Sequence, residues 1–158
     1  MKILVMSDSH RNISSMLSTA GQVKPDVIIH LGDHIIDARE LQRQYPEPVY
    51  YSVPGNCDSA SAGEAEMLLT LDGVLIFLTH GHRYSVKSSL QPLIEAARGR
   101  GAALALFGHT HNALVRQLPG LWLLNPGQMA GYGGAMYASY GIINTGNGLF
   151  DCGIVYRA

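Results

Sequence analysis

The chain reads as an α/β protein built on a parallel, helix-covered sheet. Three observations predict this. Consecutive apolar residues, as in Ile3-Leu4-Val5-Met6 and Val27-Ile28-Ile29, read as strands buried on both faces. Between them lies an apolar stripe at helical spacing: Ile13, Met16, Leu17, Ala20 and Val23. From Ile3 to Val53 the order is then β-α-β-α-β, the pattern of parallel strands joined by crossover helices. At 158 residues the chain is expected to form one domain, 1–158, with enough length for a substantial core.

The elements follow in order. The first strand stops at Ser7-Asp8-Ser9-His10, and Asn12 can cap the helix that follows. Lys24-Pro25 ends that helix. Asp26 to Leu31 is the second strand and runs straight into Gly32-Asp33. A second helix spans about Asp37 to Gln44, before Pro46 and Pro48. Val49 to Val53 is the third strand, ending at Pro54-Gly55-Asn56-Cys57-Asp58. Met67 to Leu71 and Val74 to Leu78 form a hairpin around Asp72-Gly73, a two-residue turn signal. Its second arm ends at Thr79-His80-Gly81-His82. The apolar spacing of Leu90, Leu93, Ile94 and Ala97 predicts a helix over about Val86 to Arg100. Ala102 to Phe107 reads as a strand broken by Gly108-His109-Thr110-His111. Two more hairpins follow, around Pro119-Gly120 and around Gly146-Asn147-Gly148. Met129 to Tyr137 between them reads as a loop.

Composition narrows the function classes. The chain is 47% hydrophobic and 15% charged, with net charge −1. A chain so close to neutral carries no electrostatic footprint for nucleic acid or an anionic membrane. Cys57 and Cys152 do not make a disulfide framework. The apolar N-terminus is too short for a signal-peptide core or a membrane span. The expectation is a soluble, cytoplasmic protein.

The strand ends carry the chemistry. Asp8 with His10, Asp33, Asn56, His80, and His109 with His111 each follow a strand. In extended backbone the spacing of His109 and His111 would send both rings to one side. Ligands of open α/β sheets bind at the carboxyl ends of the strands. Two carboxylates, one amide and four imidazoles converging there would be costly unless a cation binds them. The number of donors suits two ions better than one. Mixed oxygen and nitrogen donors favour manganese, iron, zinc or nickel over magnesium or calcium. No thiolate is needed, which argues against structural zinc. Two ions roughly 3.5–4 Å apart can clamp both the attacking and the leaving oxygen of an in-line displacement at phosphorus.

The set Asp8-Ser9-His10, Gly32-Asp33, Gly55-Asn56-Cys57-Asp58, His80-Gly81-His82 and Gly108-His109-Thr110-His111 resembles the calcineurin-like metallophosphoesterase superfamily. It looks most like the small single-domain prokaryotic phosphodiesterases of that group. The resemblance spans Ile3 to Tyr140. It implies a four-layer α/β-β/α sandwich with a dinuclear centre at the edge of the two sheets. It also implies that Asp8, His10, Asp33 and His111 hold one ion, most often manganese, and that Asp33, Asn56, His80 and His109 hold the other. Asp33 would bridge them, and a hydroxide shared by the ions would hydrolyse phosphodiester bonds of small substrates. Many members have histidine where this chain has Cys57, and a thiol donates a proton only weakly. Activated aryl diesters are therefore expected to be better substrates than alkyl monoesters.

Other residues have plainer readings. His82 and Asn12 are candidates for touching substrate, though Asn12 also suits a helix cap. His34 is a further candidate, and Asp58 could orient a neighbour. His30, inside a strand, reads as a core histidine, and Cys152 and Trp122 as packing. Tyr132, Tyr137 and Tyr140 could wall the cleft or line a homodimer contact. Rival functions are a phosphomonoesterase or cyclic-nucleotide phosphodiesterase on the same centre, or a non-catalytic metal-binding scaffold of the same fold.

Overall fold

The computed structural model describes residues 1–130 and 137–157. Tyr132 lies outside them, as does most of the loop expected over Met129 to Tyr137. The N-terminal alternation comprises β1 (Lys2–Met6), α1 (Ile13–Val23), β2 (Val27–His30), α2 (Ile35–Gln44) and β3 (Val49–Ser52). β1 pairs with β2, and β2 with β3, in parallel. Asn12 caps α1, its side chain accepting from the Ser15 N–H at 3.4 Å.

β4 (Glu66–Leu71) and β5 (Val74–Thr79) form the predicted hairpin. Asp72 and Gly73 have φ of 52° and 81°, as a two-residue turn matching the strand twist requires. Then come α3 (Gln91–Gly99), β6 (Leu104–Leu106), β7 (Leu114–Leu118), β8 (Leu121–Asn125), β9 (Ser139–Gly146) and β10 (Leu149–Tyr156). One sheet has the order β10-β9-β1-β2-β3 and the other β4-β5-β6-β8-β7. Within the second sheet, β5, β6 and β8 run parallel.

α3 departs from expectation. The spacing predicted a start near Val86, but a 3₁₀ turn occupies His82–Tyr84 and the helix begins at Gln91. Pro92 sits in its first turn. Its ring excludes the carbonyl of a preceding helical turn, so a helix can start there but cannot run through.

Three apolar layers separate four layers of structure. Ile3, Val5 and Ile29 of the first sheet pack against Ile76, Leu78, Leu104 and Leu106 of the second. Leu4, Met6 and Ile28 point the other way, onto Met16 and Ala20 of α1 and Leu41 of α2. Phe77, Ala105 and Leu123 pack against Leu93, Ile94 and Ala97 of α3. This is the expected α/β-β/α sandwich. β1 and β2 are covered on both faces, which is why their sequences are continuously apolar rather than alternating. Among the described residues, no helix is long and apolar enough to cross a membrane.

Candidate metal centre

The parallel strands of both sheets deliver their carboxyl ends to one edge. There the ligand atoms of Asp8, His10, Asp33 and His111 lie within 4.8 Å of one another, and those of Asp33, His80 and His109 form a second such set. Asn56 Oδ1, 3.1 Å from His80 Nε2, adds an amide oxygen to the second set. Asp33 is common to both. The structure thus brings all seven strand-end residues together.

His109 and His111 reach their places differently from the extended-strand argument. Both have left-handed backbone, with φ of 67° and 61°, and their rings enter different sets. Asp8, His10 and Asp33 are left-handed too, at 53°, 44° and 57°. Each such residue costs on the order of 1–3 kcal/mol and persists only where its surroundings fix it. The fixing contacts are visible. The Asp8 N–H donates to Gly32 O at 2.9 Å, and the Cys57 N–H to Asp33 Oδ1 at 2.9 Å. Asp58 accepts from the Ile35 and Gly55 N–H groups, each at 2.9 Å, and so ties the loop after β3 to the start of α2. Two glycines let the loops close. A Cβ on Gly55 would lie 2.2 Å from Asp33 Oδ1, and one on Gly108 would lie 2.2 Å from Ser7 Oγ.

The donor set fits divalent ions. Asp8 Oδ2 accepts from Ser7 Oγ at 2.5 Å and from the His109 N–H at 3.3 Å. Its Oδ1 is buried without a hydrogen bond and faces His111 Nε2 at 3.1 Å and His80 Nε2 at 4.0 Å. His80 Nδ1 donates to Leu31 O at 2.7 Å, which turns Nε2 toward the ligand cluster. That nitrogen faces only oxygens: Asn56 Oδ1, Asp33 Oδ2 at 3.5 Å and Asp8 Oδ1. Oxygens crowded around one buried nitrogen require a positive charge among them, carried by a proton on His80 or by a bound cation. The backbone carbonyl behind His80 is the usual outer partner of a metal-ligating imidazole.

Protonation follows the same logic. Burial opposes charge on both His80 and Asp33. It is outweighed by the attraction between them, aided at Asp33 by the Cys57 N–H and at His80 by Asp8. His80 is therefore raised and Asp33 is held below the usual carboxylate range. Asp8 raises His111. Burial, followed by the charges of His80 and Lys87, lowers His109 to about 4.

The remaining candidates surround this centre. The His82 ring lies 5.4 Å from that of His80 and 6.0 Å from that of His109. Cys57 is exposed, and burial of its sulfur and the Asp33 charge raise its thiol. His34 begins α2 and its ring stands 4.8 Å from His10. The Asn12 amide is engaged by backbone at both ends, donating to Met129 O at 3.3 Å as well as capping α1. His30 is a core residue. Its Nδ1 accepts from the Gly32 N–H, so its Nε2–H donates to Ser9 Oγ, which donates to Asp37.

Two residues escaped the sequence reading. Ser7 orients Asp8. Asn125 donates to Gly108 O at 2.9 Å and Thr110 Oγ1 at 3.0 Å, and accepts from the Gly127 N–H at 2.9 Å. It ends β8 and is a polar residue at the close of an apolar run, the signal that singled out the other ligand-bearing strand ends. Ser7 has no comparable signal.

Comparison with known proteins agrees with this geometry. Residues 1–148 match the calcineurin-like phosphoesterase superfamily domain. A Bacillus subtilis protein named Probable metallophosphoesterase YsnB is 37% identical over 134 residues, covering 82% of this chain and 75% of that one. Phosphodiesterase MJ0936 of Methanocaldococcus jannaschii is 26% identical over 152 residues, covering 84% and 86%. Zinc-complexed Vps29 of Entamoeba histolytica shares the fold, with a TM-score of 0.77 at 18% identity and 99% of each chain covered. From its family match and its relatives, the chain belongs to the calcineurin-like phosphoesterase superfamily.

Proposed function

We propose that the protein is a metal-dependent phosphodiesterase acting on small substrates at a dinuclear centre. The observation that carries this reading is the convergence of carboxylate, amide and imidazole ligand atoms into two sets that share Asp33. Asp8, His10, Asp33 and His111 would hold one ion. Asp33, Asn56, His80 and His109 would hold the other, and the mixed donors suit manganese, zinc, iron or nickel. Bound ions would neutralise the phosphate and lower the pKa of a water they share. Ser7, Leu31 O and Asn125 keep the ligands aimed. The likeness to a protein named a phosphodiesterase supports the diester preference.

Cys57 shapes that preference. Its raised thiol stays protonated near neutral pH, but a thiol is a weak proton donor. Leaving groups that need no protonation are favoured. Metal-loaded protein is expected to hydrolyse bis(p-nitrophenyl) phosphate faster than any alkyl monoester, and the opposite order would overturn the reading. The second reading is a metal-binding scaffold of the same fold, a fold that zinc-complexed Vps29 shares at full length. A scaffold binds metal stoichiometrically and turns over no ester, so the same assay separates the two.

A further inference from the structure

Two openings flank the candidate centre. One, of about 300 Å³, is lined by Asn56, His82 and Arg83 beside Pro54, Ala60 and Ala65. The other is a groove of about 450 Å³ walled by Val86, Leu90, Phe107 and Leu114, with Lys87 and Asn112 on its rim. Thr110, which also lines the groove, stands between the two histidines that enter the two ligand sets. The groove therefore starts at the metal edge. Its walls have no use for a phosphate, which the ligand cluster would take. They suit the organic part of an ester, and the volume suits a ring with its polar attachment. Lys87 is exposed and lines the groove together with Thr110, the residue between His109 and His111, which puts it on the side where a phosphate would lie. The exposed Asn112 offers both a donor and an acceptor, which a heterocyclic ring edge can use.

We infer that this groove holds the aromatic arm, an aryl ring or a nucleobase, of a phosphodiester whose phosphate lies at the candidate centre, with Lys87 against an anionic phosphate oxygen. The inference rests on the phosphodiesterase reading above. The opening beside Arg83 then receives the second arm. The substrate class narrows to diesters with one flat apolar substituent.

Two measurements test this. In the first, zinc-loaded protein is titrated with p-nitrophenyl phosphate and, separately, with inorganic phosphate, while methyl and amide NMR shifts are followed. The aryl phosphate is expected to shift Val86, Leu90 and Leu114, which inorganic phosphate leaves in place. Shifts confined to the ligand loops with both probes would overturn the inference. So would groove resonances that move with protein concentration alone, since a second copy would then cover the groove. In the second, Lys87→Ala and Leu90→Ser are assayed with bis(p-nitrophenyl) phosphate. Each is expected to raise KM about fivefold with kcat unchanged. Lys87 is exposed, so its variant keeps the test valid should Leu90→Ser disturb the start of α3. Unchanged KM in Lys87→Ala would remove Lys87 from the site and overturn the inference. Failure of the wild-type protein to hydrolyse any ester with any ion would overturn the underlying reading and the inference with it. Turnover with a silent groove would overturn the inference alone.

Discussion

Asp33 carries two obligations at one carboxylate. Its Oδ1 accepts from the Cys57 N–H and its Oδ2 faces His80, and it alone belongs to both ligand sets. Asp33→Asn keeps an oxygen for the Cys57 N–H but removes the charge. It is expected to fold, lose turnover by at least about 10–100-fold and bind less of both ions. Folded, fully active protein by circular dichroism and assay would refute the shared role. The histidines that follow β6 should behave as a split pair. His111→Ala is expected to empty mainly the site of Asp8 and His10, and His109→Ala mainly that of His80. Metal analysis that finds equal loss of both ions in each variant would refute the split.

His30 makes a different prediction at the same scale. Burial holds it neutral down to about 4, whereas a free imidazole titrates near 6.5. As pH falls between these values the unfolded chain binds a proton that the folded chain refuses. Its contribution is therefore intact above about pH 6.5 and is lost as pH falls toward about 4. Metal-free protein should lose about 2 kcal/mol more between pH 7 and pH 5 than a His30→Gln variant does. Urea titrations of the two at both pH values check this, and equal losses would show that His30 is not held neutral.

At the scale of elements, β8 does more than close the second sheet. Its last residue, Asn125, holds the turn that carries His109 and His111 through two hydrogen bonds and accepts a third from the Gly127 N–H. Asn125→Ala leaves Gly108 O and the Gly127 N–H without those partners. The expected cost is about 1–3 kcal/mol in stability, with weaker metal binding. Asn125→Asp keeps the acceptor for Gly127 but not the amide donor, so it should recover stability in part without restoring metal affinity. Full affinity in both variants, measured by metal titration, would show that the loop holds itself.

The strands and the strand-end residues were legible because both-face burial writes continuous apolar runs and because polar residues at their ends are conspicuous. The hairpin turns at Asp72-Gly73 and Asn147-Gly148 were legible because each needs two positive φ values, met here by an acidic or amide residue and a glycine. The start of α3 was not. Apolar spacing continues upstream of Pro92, while Tyr84 of the 3₁₀ turn at His82–Tyr84 packs on Phe77 and bonds Glu66, contacts that spacing does not show. The split of His109 from His111 was legible through the family resemblance alone, since left-handed backbone at a histidine leaves no signal in residue spacing. The tie from Asp58 to α2 likewise depends on the loop after β3 meeting the end of β2, which only the fold creates.

At the scale of the molecule, each ligand set draws on both sheets. Asp8, His10, Asp33 and Asn56 follow strands of the first sheet, and His80, His109 and His111 follow strands of the second. The sheets otherwise meet through the apolar layer of Ile3, Val5, Ile29, Ile76, Leu78, Leu104 and Leu106, which has no directional contacts of its own. Metal ligation would therefore act as a clip between the two halves of the sandwich, and would also relieve the repulsion between the Asp8 and Asp33 carboxylates. Binding that requires the folded arrangement raises stability by mass action, about 2.7 kcal/mol at a free-ion concentration one hundred times the dissociation constant. Loading with manganese or zinc is thus expected to raise Tm by several degrees, through a single transition that reports both sheets together. Asp33→Asn should lose most of that rise, since its charge serves both sets. Calorimetry with and without chelator measures the effect directly. A Tm indifferent to metal, at concentrations where binding is seen by titration, would mean that the ions do not join the sheets. Two transitions, of which only one responds to metal, would mean that one sheet holds the ions without the other.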